Sequence, residues 1–289
     1  MSEQQTFDVG GHTDGHGTRL KGKAALVTGA GSAGNFLGTG AATALLLAAQ
    51  GATVGILDID AGRAEHTRKR IEADGGQAVA LTADITDEAA VHATVDEFTE
   101  RAGRLDAVVN NAGISGEGDI SRTSRAGWDQ VFALNVTAAM QVARAAYPHL
   151  VRSGGGSVVN ISSIAALRGF GSGAYGASKG ALQALTTDLA YTWGPDQIRV
   201  NCLVPGHLHT PIGDHGGQEG RRLRGAANLL GAEGTAWDLA WAVLFLTCPE
   251  SRWITGTMIP VDAGTTTATV LGMLPRISEA RRKDSDEQQ

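Results

Sequence analysis

Tyr175 and Lys179 stand four residues apart in the stretch Ala174-Tyr175-Gly176-Ala177-Ser178-Lys179. On a helix, positions i and i+4 share one face, so a phenol and an ammonium meet. A free tyrosine titrates near about pH 10, too high for a base at neutral pH. A neighbouring cation favours the phenolate and pulls that value down. The pair is therefore a candidate general acid/base. Upstream, the apolar run that ends at Asn160-Ile161 is followed by Ser162 and Ser163. A hydroxyl at a strand end can bind a substrate oxygen. Side chains alternate along a strand, so only one of the two can face the site. The strand end selects Ser163.

A second constellation lies near the start. The run Gly29-Ala30-Gly31-Ser32-Ala33-Gly34-Asn35-Phe36-Leu37-Gly38-Thr39-Gly40 follows a short apolar segment and precedes an alanine- and leucine-rich one. Between a first strand and a first helix, glycines let the backbone approach a pyrophosphate, and the helix N-terminus offers free N–H groups. Gly29, Ser32, Gly38, Thr39 and Gly40 are the candidate phosphate contacts. Asp58 follows Gly40 by 18 residues and closes the second apolar run. A carboxylate there accepts hydrogen bonds from adenosine ribose hydroxyls and repels a 2′-phosphate. Ile59 and Asp60 come next, not arginine, which favours NAD over NADP. Asp84-Ile85 is placed to meet the adenine. Asn110-Asn111-Ala112-Gly113 leaves room for a ribose and can tie neighbouring strands.

These residues need a scaffold that brings strand ends together. Short β-branched runs at 24–28, 53–58, 78–83, 105–110, 157–162, 198–203 and 257–261 alternate with helical periods near 38–50, 61–74, 87–102, 124–152, 174–193 and 235–248. That alternation predicts βαβ units. The expected fold is α/β: a Rossmann-like, doubly wound, parallel seven-stranded sheet covered by helices on both faces, in one domain spanning 21–264. Residues 1–20 read as a flexible arm. Four glycines surround His12 and His16 there, so a helical metal site is not expected. Residues 265–289 read as an extension, with Val270, Leu271, Met273 and Leu274 docking on a neighbouring subunit.

Composition narrows the function. Lys and Arg number 24 against 30 Asp and Glu, a net charge of −6 that argues against general phosphate attraction to nucleic acid. The 2 cysteines, Cys202 and Cys248, form no ligand motif, so no metal is expected and a reducing cytoplasm is the simplest compartment. The longest apolar run, 41–49, is too short for a membrane helix, and the N-terminus lacks a signal-peptide core.

In order and spacing, the pieces above resemble the short-chain dehydrogenase/reductase family in its single-domain form. The likeness spans residues 22–264 and includes the Thr28-Gly29 loop, Asp58, Asp84, Asn110 to Gly113, Asn135, Ser163, Tyr175-x-x-x-Lys179, Pro205-Gly206-x-Leu208-x-Thr210, Ile254-Thr255-Gly256 and Val261-Asp262-Ala263-Gly264. It implies that Tyr175 exchanges a proton, Lys179 lowers its pKa and binds the nicotinamide ribose, Ser163 polarises the substrate oxygen and Asn135 holds a water. Pro205, Gly206, Leu208 and Thr210 would flank the nicotinamide. The implied reaction is hydride transfer between NAD and a secondary alcohol or ketone, in a homotetramer or homodimer. Reduction of 3-oxoacyl thioesters with NADPH and non-catalytic dinucleotide sensing are the alternatives.

The sequence departs from the family in two places. The glycine loop carries about five extra residues around 33–37. Ser163 lies one residue closer to Tyr175 than the family spacing, which by itself would select Ser162. A substrate lid is expected at 207–232. In it, His207 and His209 are candidates to touch substrate, and Arg221, Arg222 and Arg224 read as a solvated helix face. Arg168 is a weaker candidate for an anion. Trp237, Trp241 and Phe245, spaced i, i+4, i+8, are expected to pack.

Overall fold

The strands of the chain form where aliphatic residues crowd into runs of four to eight. A computed structural model of the protein describes residues 18–211, 213 and 216–287; His12 and His16 of the arm and Ile212, Asp214 and His215 of the lid lie outside them. The strands are β1 (Ala24–Thr28), β2 (Thr53–Asp58), β3 (Gln77–Thr82), β4 (Ala107–Asn110), β5 (Gly156–Ile161), β6 (Ile198–Pro205), the two-residue β7 (Leu208–His209) and β8 (Gly234–Thr235), and β9 (Met258–Val261). Seven of them make one parallel sheet in the order β3-β2-β1-β4-β5-β6-β9. This is the Rossmann-like α/β fold read from the sequence. Strand order reverses between β1 and β4, where doubly wound sheets open a crevice at the carboxyl ends of their strands.

Alternation along β1 shows how the sheet feeds two cores. Ala25 and Val27 face one side with α1 (Thr39–Ala49), α2 (Ala61–Ala73) and α8 (Ala236–Thr247). Ala24 and Leu26 face the other with α3 (Glu88–Ala102), α5 (Ala138–Arg152) and α6 (Ala174–Trp193). Helix α1 is buried all round, from Gly40 to Ala48, because it is wedged between the sheet and α8. Its apolar run, interrupted only by Thr43, is the sequence form of that burial.

The expected helix at 124–152 is not continuous. Helix α4 (Arg125–Phe132) passes through five residues wound as a π-helix, Ala133–Thr137, before α5 begins. Such a widened turn re-aims side chains, and here it carries Asn135. The lid gains structure of its own: α7 (Gly217–Ala226) and a β7–β8 pairing. Residues 270–287 form a final helix, α9 (Val270–Glu287), which packs on α7 of its own chain. Met273 and Ala280 are buried there, while Val270 and Leu271 are exposed, so the apolar part divides between the lid and solvent. Of the expected packing aromatics, Trp237 is buried and Trp241 and Phe245 reach the surface.

The amino ends of the inner strands are fastened by Asp106, just before β4. Its carboxylate accepts from Lys23 Nζ at 2.9 Å, from the Ala24 N–H at 2.9 Å and from Arg104 at 2.6 Å. Burial alone would raise its pKa, but the bonds from Arg104, Ala24 and Lys23 outweigh it and hold the carboxyl below the usual range. The stabilisation is therefore present above about pH 4 and is lost as pH falls through the depressed folded value. Asp106→Asn should cost about 2 kcal/mol of unfolding free energy at neutral pH, and less in acid, as read from urea melts.

Candidate active site

Helix α6 presents Tyr175 in its first turn and Lys179 one turn later. Lys179 Nζ donates to the Ile161 carbonyl at 2.8 Å, at the end of β5, and lies 5.7 Å from the centre of the Tyr175 ring. The phenol and the Ser163 hydroxyl line the same cleft, and Ser163 acts on the phenol to lower its pKa. Ser162 points the other way. Its hydroxyl donates to the Lys179 carbonyl at 2.8 Å, accepts from Gln183 at 3.2 Å, and is buried. The structure thus places Ser163, not Ser162, beside the phenol, because β5 ends at Ile161 and Ser163 begins a short 3₁₀ turn.

Electrostatics differ from the sequence expectation. Burial raises the Tyr175 pKa above its ordinary value, and Ser163 only partly opposes this. Lys179 does not lower it in this arrangement, since the ammonium is tied to Ile161 and meets the ring rather than the hydroxyl. Burial in turn lowers Lys179 to about 8, with Cys202 as a weaker opposing influence.

Asn135 is buried and doubly bonded to Ile114. Its Oδ1 accepts from the Ile114 N–H at 2.9 Å and its Nδ2 donates to the Ile114 carbonyl at 3.0 Å. Nδ2 also donates to Ser178 Oγ at 3.0 Å, and Ser178 donates to the Tyr175 carbonyl at 2.8 Å. Gly113 lies between Asn135 and Lys179, so a Cβ there would sit 3.0 Å from Asn135 Oδ1 and 3.3 Å from Lys179 Nζ.

Two further asparagines knit the crevice. Asn111 Nδ2 donates to the Thr28 and Gly29 carbonyls at 3.0 and 3.2 Å, while its Oδ1 accepts from Thr39 Oγ1 at 2.6 Å. The Asn111 and Ala112 N–H groups both reach Thr28 Oγ1. Asn110 turns inward and donates to Asn160 Oδ1 at 2.8 Å and to the Ala139 carbonyl at 3.2 Å. It braces β4 on β5 and α5 rather than lining the crevice.

The glycine loop closes on this frame. Gly40 is so near that a Cβ would strike the Gly29 carbonyl oxygen and come within 2.5 Å of Asn111 Nδ2. Gly38, at the α1 N-terminus, faces open space. Ser32 is buried, with its hydroxyl 3.0 Å from that of Thr67 on α2, so its side chain serves packing. In the inserted segment, Leu37 enters the core and Phe36 crosses to the lid, its ring 4.6 Å from that of His209.

Asp58 accepts from the Gly31 N–H at 2.9 Å and the Asp60 N–H at 3.1 Å. Ile59 beside it is 70% exposed. Asp84 is exposed and held below the usual carboxylate range by Thr86, and Ile85 is buried behind it. On the far side, Gly206 abuts Asp262, where a Cβ would lie 2.7 Å from its Cα. Pro205, Gly206, Leu208 and Thr210 line a cleft of about 360 Å³ together with Thr39, Asn111, Ser163, Tyr175 and Lys179.

Sequence reasoning missed several neighbours. Arg63 on α2 comes beside Asp58: a Cβ on Gly31 would lie 2.6 Å from Arg63 Cβ and 2.7 Å from Asp58 Oδ2. A helix that starts just after Asp58 returns its first turn to that spot, a signal the sequence did contain. His207 and Arg224 line the cleft, so Arg224 is not on a solvated face. Arg168 donates to the Thr266 carbonyl at 2.5 Å and anchors the segment before α9.

Residues 33–266 match the family model described as enoyl-(acyl carrier protein) reductase. A cyclopentanol dehydrogenase of Comamonas sp. is 36% identical over 252 residues, which covers 86% of this chain and 98% of the relative. A 3-oxoacyl-(acyl-carrier-protein) reductase, FabG of Thermotoga maritima, is 33% identical over 247 residues, 85% of this chain and 98% of that one. A solved short-chain dehydrogenase/reductase from Burkholderia xenovorans aligns with a TM-score of 0.82 and 35% identity, covering 87% of this chain and 99% of the other. The chain belongs to the short-chain dehydrogenase/reductase family.

As a short-chain dehydrogenase/reductase it is an oxidoreductase that takes a nicotinamide dinucleotide, NAD or NADP. The residues present fit that group. Gly38 leaves the α1 N-terminus open to a pyrophosphate, and Gly40 could not be larger. The Asp58 carboxylate retains acceptor capacity beyond its two backbone bonds. No helix among the described residues is long and apolar enough to cross a membrane.

Lys179 sets a pH signature. Its folded pKa of about 8 lies below the ordinary 10.5, so burial penalises the charged form. That penalty is full below about pH 8 and fades as pH rises towards the unfolded value. Through this group the fold should gain stability between about pH 8 and about pH 10. Lys179→Met should flatten that rise in urea melts taken across the same range.

Proposed function

We propose that the protein is an NAD-dependent dehydrogenase that interconverts a secondary alcohol and a ketone, with Tyr175 moving the proton. The observation that carries this reading is the gathering of Tyr175, Ser163 and Lys179 on the wall of one cleft at the carboxyl ends of the strands. When bound, the dinucleotide accepts or supplies hydride at its nicotinamide ring. Ser163 donates to the substrate oxygen and Tyr175 exchanges a proton with it. Lys179, charged at neutral pH, binds the nicotinamide ribose. Asn135 has spent its amide on Ile114 and Ser178. The water expected at Asn135 is therefore left to its backbone carbonyl in the π turn, where helical bonding is shifted.

Gly29, Gly38, Thr39 and Gly40 cradle the pyrophosphate, while Asp58 takes the adenosine ribose and Ile59, Asp84 and Ile85 border the adenine. Asn111, Ala112 and Gly113 floor the nicotinamide half, and Pro205, Gly206, Leu208 and Thr210 wall it. The cyclopentanol dehydrogenase relative supports an alcohol substrate. Trp253, at 92% exposed, and Tyr191, at 85%, support assembly as a homotetramer.

One observation favours a second reading, 3-oxoacyl-thioester reduction with NADPH. Arg63 lies beside Asp58, and a guanidinium there can meet a 2′-phosphate. It is drawn towards Asp60 at 3.7 Å instead, which supports NAD. Fluorescence titration decides between them. NADH binding at least tenfold tighter than NADPH supports the first reading, and the reverse order the second. In a screen of secondary alcohols with NAD, Tyr175→Phe should lower kcat/KM by about a hundred- to ten-thousand-fold while NADH still binds. Near-normal turnover by that variant would overturn the mechanism.

A further inference from the structure

Two guanidinia converge on one carboxylate beneath the lid. Glu233, whose side chain is only 4% exposed, accepts from Arg221 Nε at 2.9 Å and from Arg224 Nε. His209 Nδ1 lies 3.9 Å from the same carboxylate. Arg221 is half exposed, but the Arg224 side chain is only 16% exposed and forms part of the cleft wall that also carries Tyr175 and Ser163. Burying such a pair is costly, and an apolar pair of similar volume would often serve stability as well. What the ion pair adds is direction, since a carboxylate engaging Nε fixes the plane of the guanidinium.

The rest of the wall agrees in charge. Among the described residues lining the cleft there is no Asp or Glu, while Arg224, Lys179 and His207 all contribute. Lys179 is committed to Ile161 and the phenol. His207 is pushed below its ordinary pKa by burial and then by the Arg224 charge, so at neutral pH it offers a hydrogen bond rather than a charge. Ile114, Leu208 and Leu239 supply the apolar remainder. A planar guanidinium lining the same pocket as the Tyr175 and Ser163 hydroxyls suits a planar anion on a small molecule that also carries a carbonyl.

We propose that Arg224, oriented by Glu233, binds a carboxylate on the substrate, making the preferred substrates keto acids and hydroxy acids. The inference builds on the dehydrogenase reading and adds the substrate class.

The test pairs pyruvate, acetoacetate and levulinate with their methyl esters, using NADH as reductant. The ester keeps the ketone and removes the charge. For at least one chain length the acid should exceed its ester at least tenfold in kcat/KM. In Arg224→Gln the loss on that acid should exceed the loss on its ester at least tenfold, with NADH affinity kept and Arg224→Lys intermediate. Quenching of protein fluorescence by each acid and ester, with NADH bound, reads the site without turnover and needs only the wild-type chain. Acids that bind selectively but are not reduced would keep the carboxylate site and remove the dehydrogenase reading for this class. Acids that bind no more tightly than their esters at every length would overturn the inference, whatever is turned over. So would an Arg224→Gln variant that loses NADH affinity tenfold with the acid-to-ester ratio unchanged, because the guanidinium would then serve the dinucleotide.

Discussion

The bond from Lys179 Nζ to the Ile161 carbonyl joins the two elements on which the site depends. It ties α6 to the last residue of β5, and Ser162 repeats the tie in reverse through the Lys179 carbonyl. With strand end and helix locked in this way, Ser163 and Tyr175 are left facing one another. The same lock explains why the ammonium is buried at a lowered pKa. A cation held to a backbone carbonyl among packed side chains cannot also be well hydrated.

A second constraint is the closeness of backbone at the crevice. Asn111 bonds the ends of β1 and the glycine loop, while Thr28 Oγ1 receives two N–H groups from the chain after β4. These contacts work only because Gly40 lacks a side chain. Deeper in, the Asn110–Asn160–Thr186 series carries the bracing from β4 through β5 to α6. Polar side chains can be buried at this density because nearly every donor meets an acceptor.

Much of this was legible in the sequence. Periodicity located the seven strands of the main sheet, because strands covered on both faces are apolar throughout and stand out against helical segments. The Tyr175–Lys179 spacing was legible for the reason that i and i+4 meet on any helix. What escaped was whatever depended on chain segments meeting at a distance. The strand end selected Ser163 correctly over the family spacing, although the turn that makes the choice, starting after Ile161, was not itself visible. The π turn at Ala133–Thr137 has no compositional mark. Nothing in the local pattern marks Glu233, over which two arginines of α7 close. Asn110 was read as crevice lining and is instead a brace, a matter of one residue's alternation at the end of β4.

Met273 and Ala280 of α9 are buried against the lid helix, and Arg276 caps the carbonyls of Asn228 and Leu229, where the lid turns back towards the sheet. The tail and the mouth of the cleft are thus one lever. A tag fused to the C-terminus, a proteolytic trim or a crowded neighbour would be felt first as a change in how wide that mouth stands, and only afterwards, if at all, in the sheet.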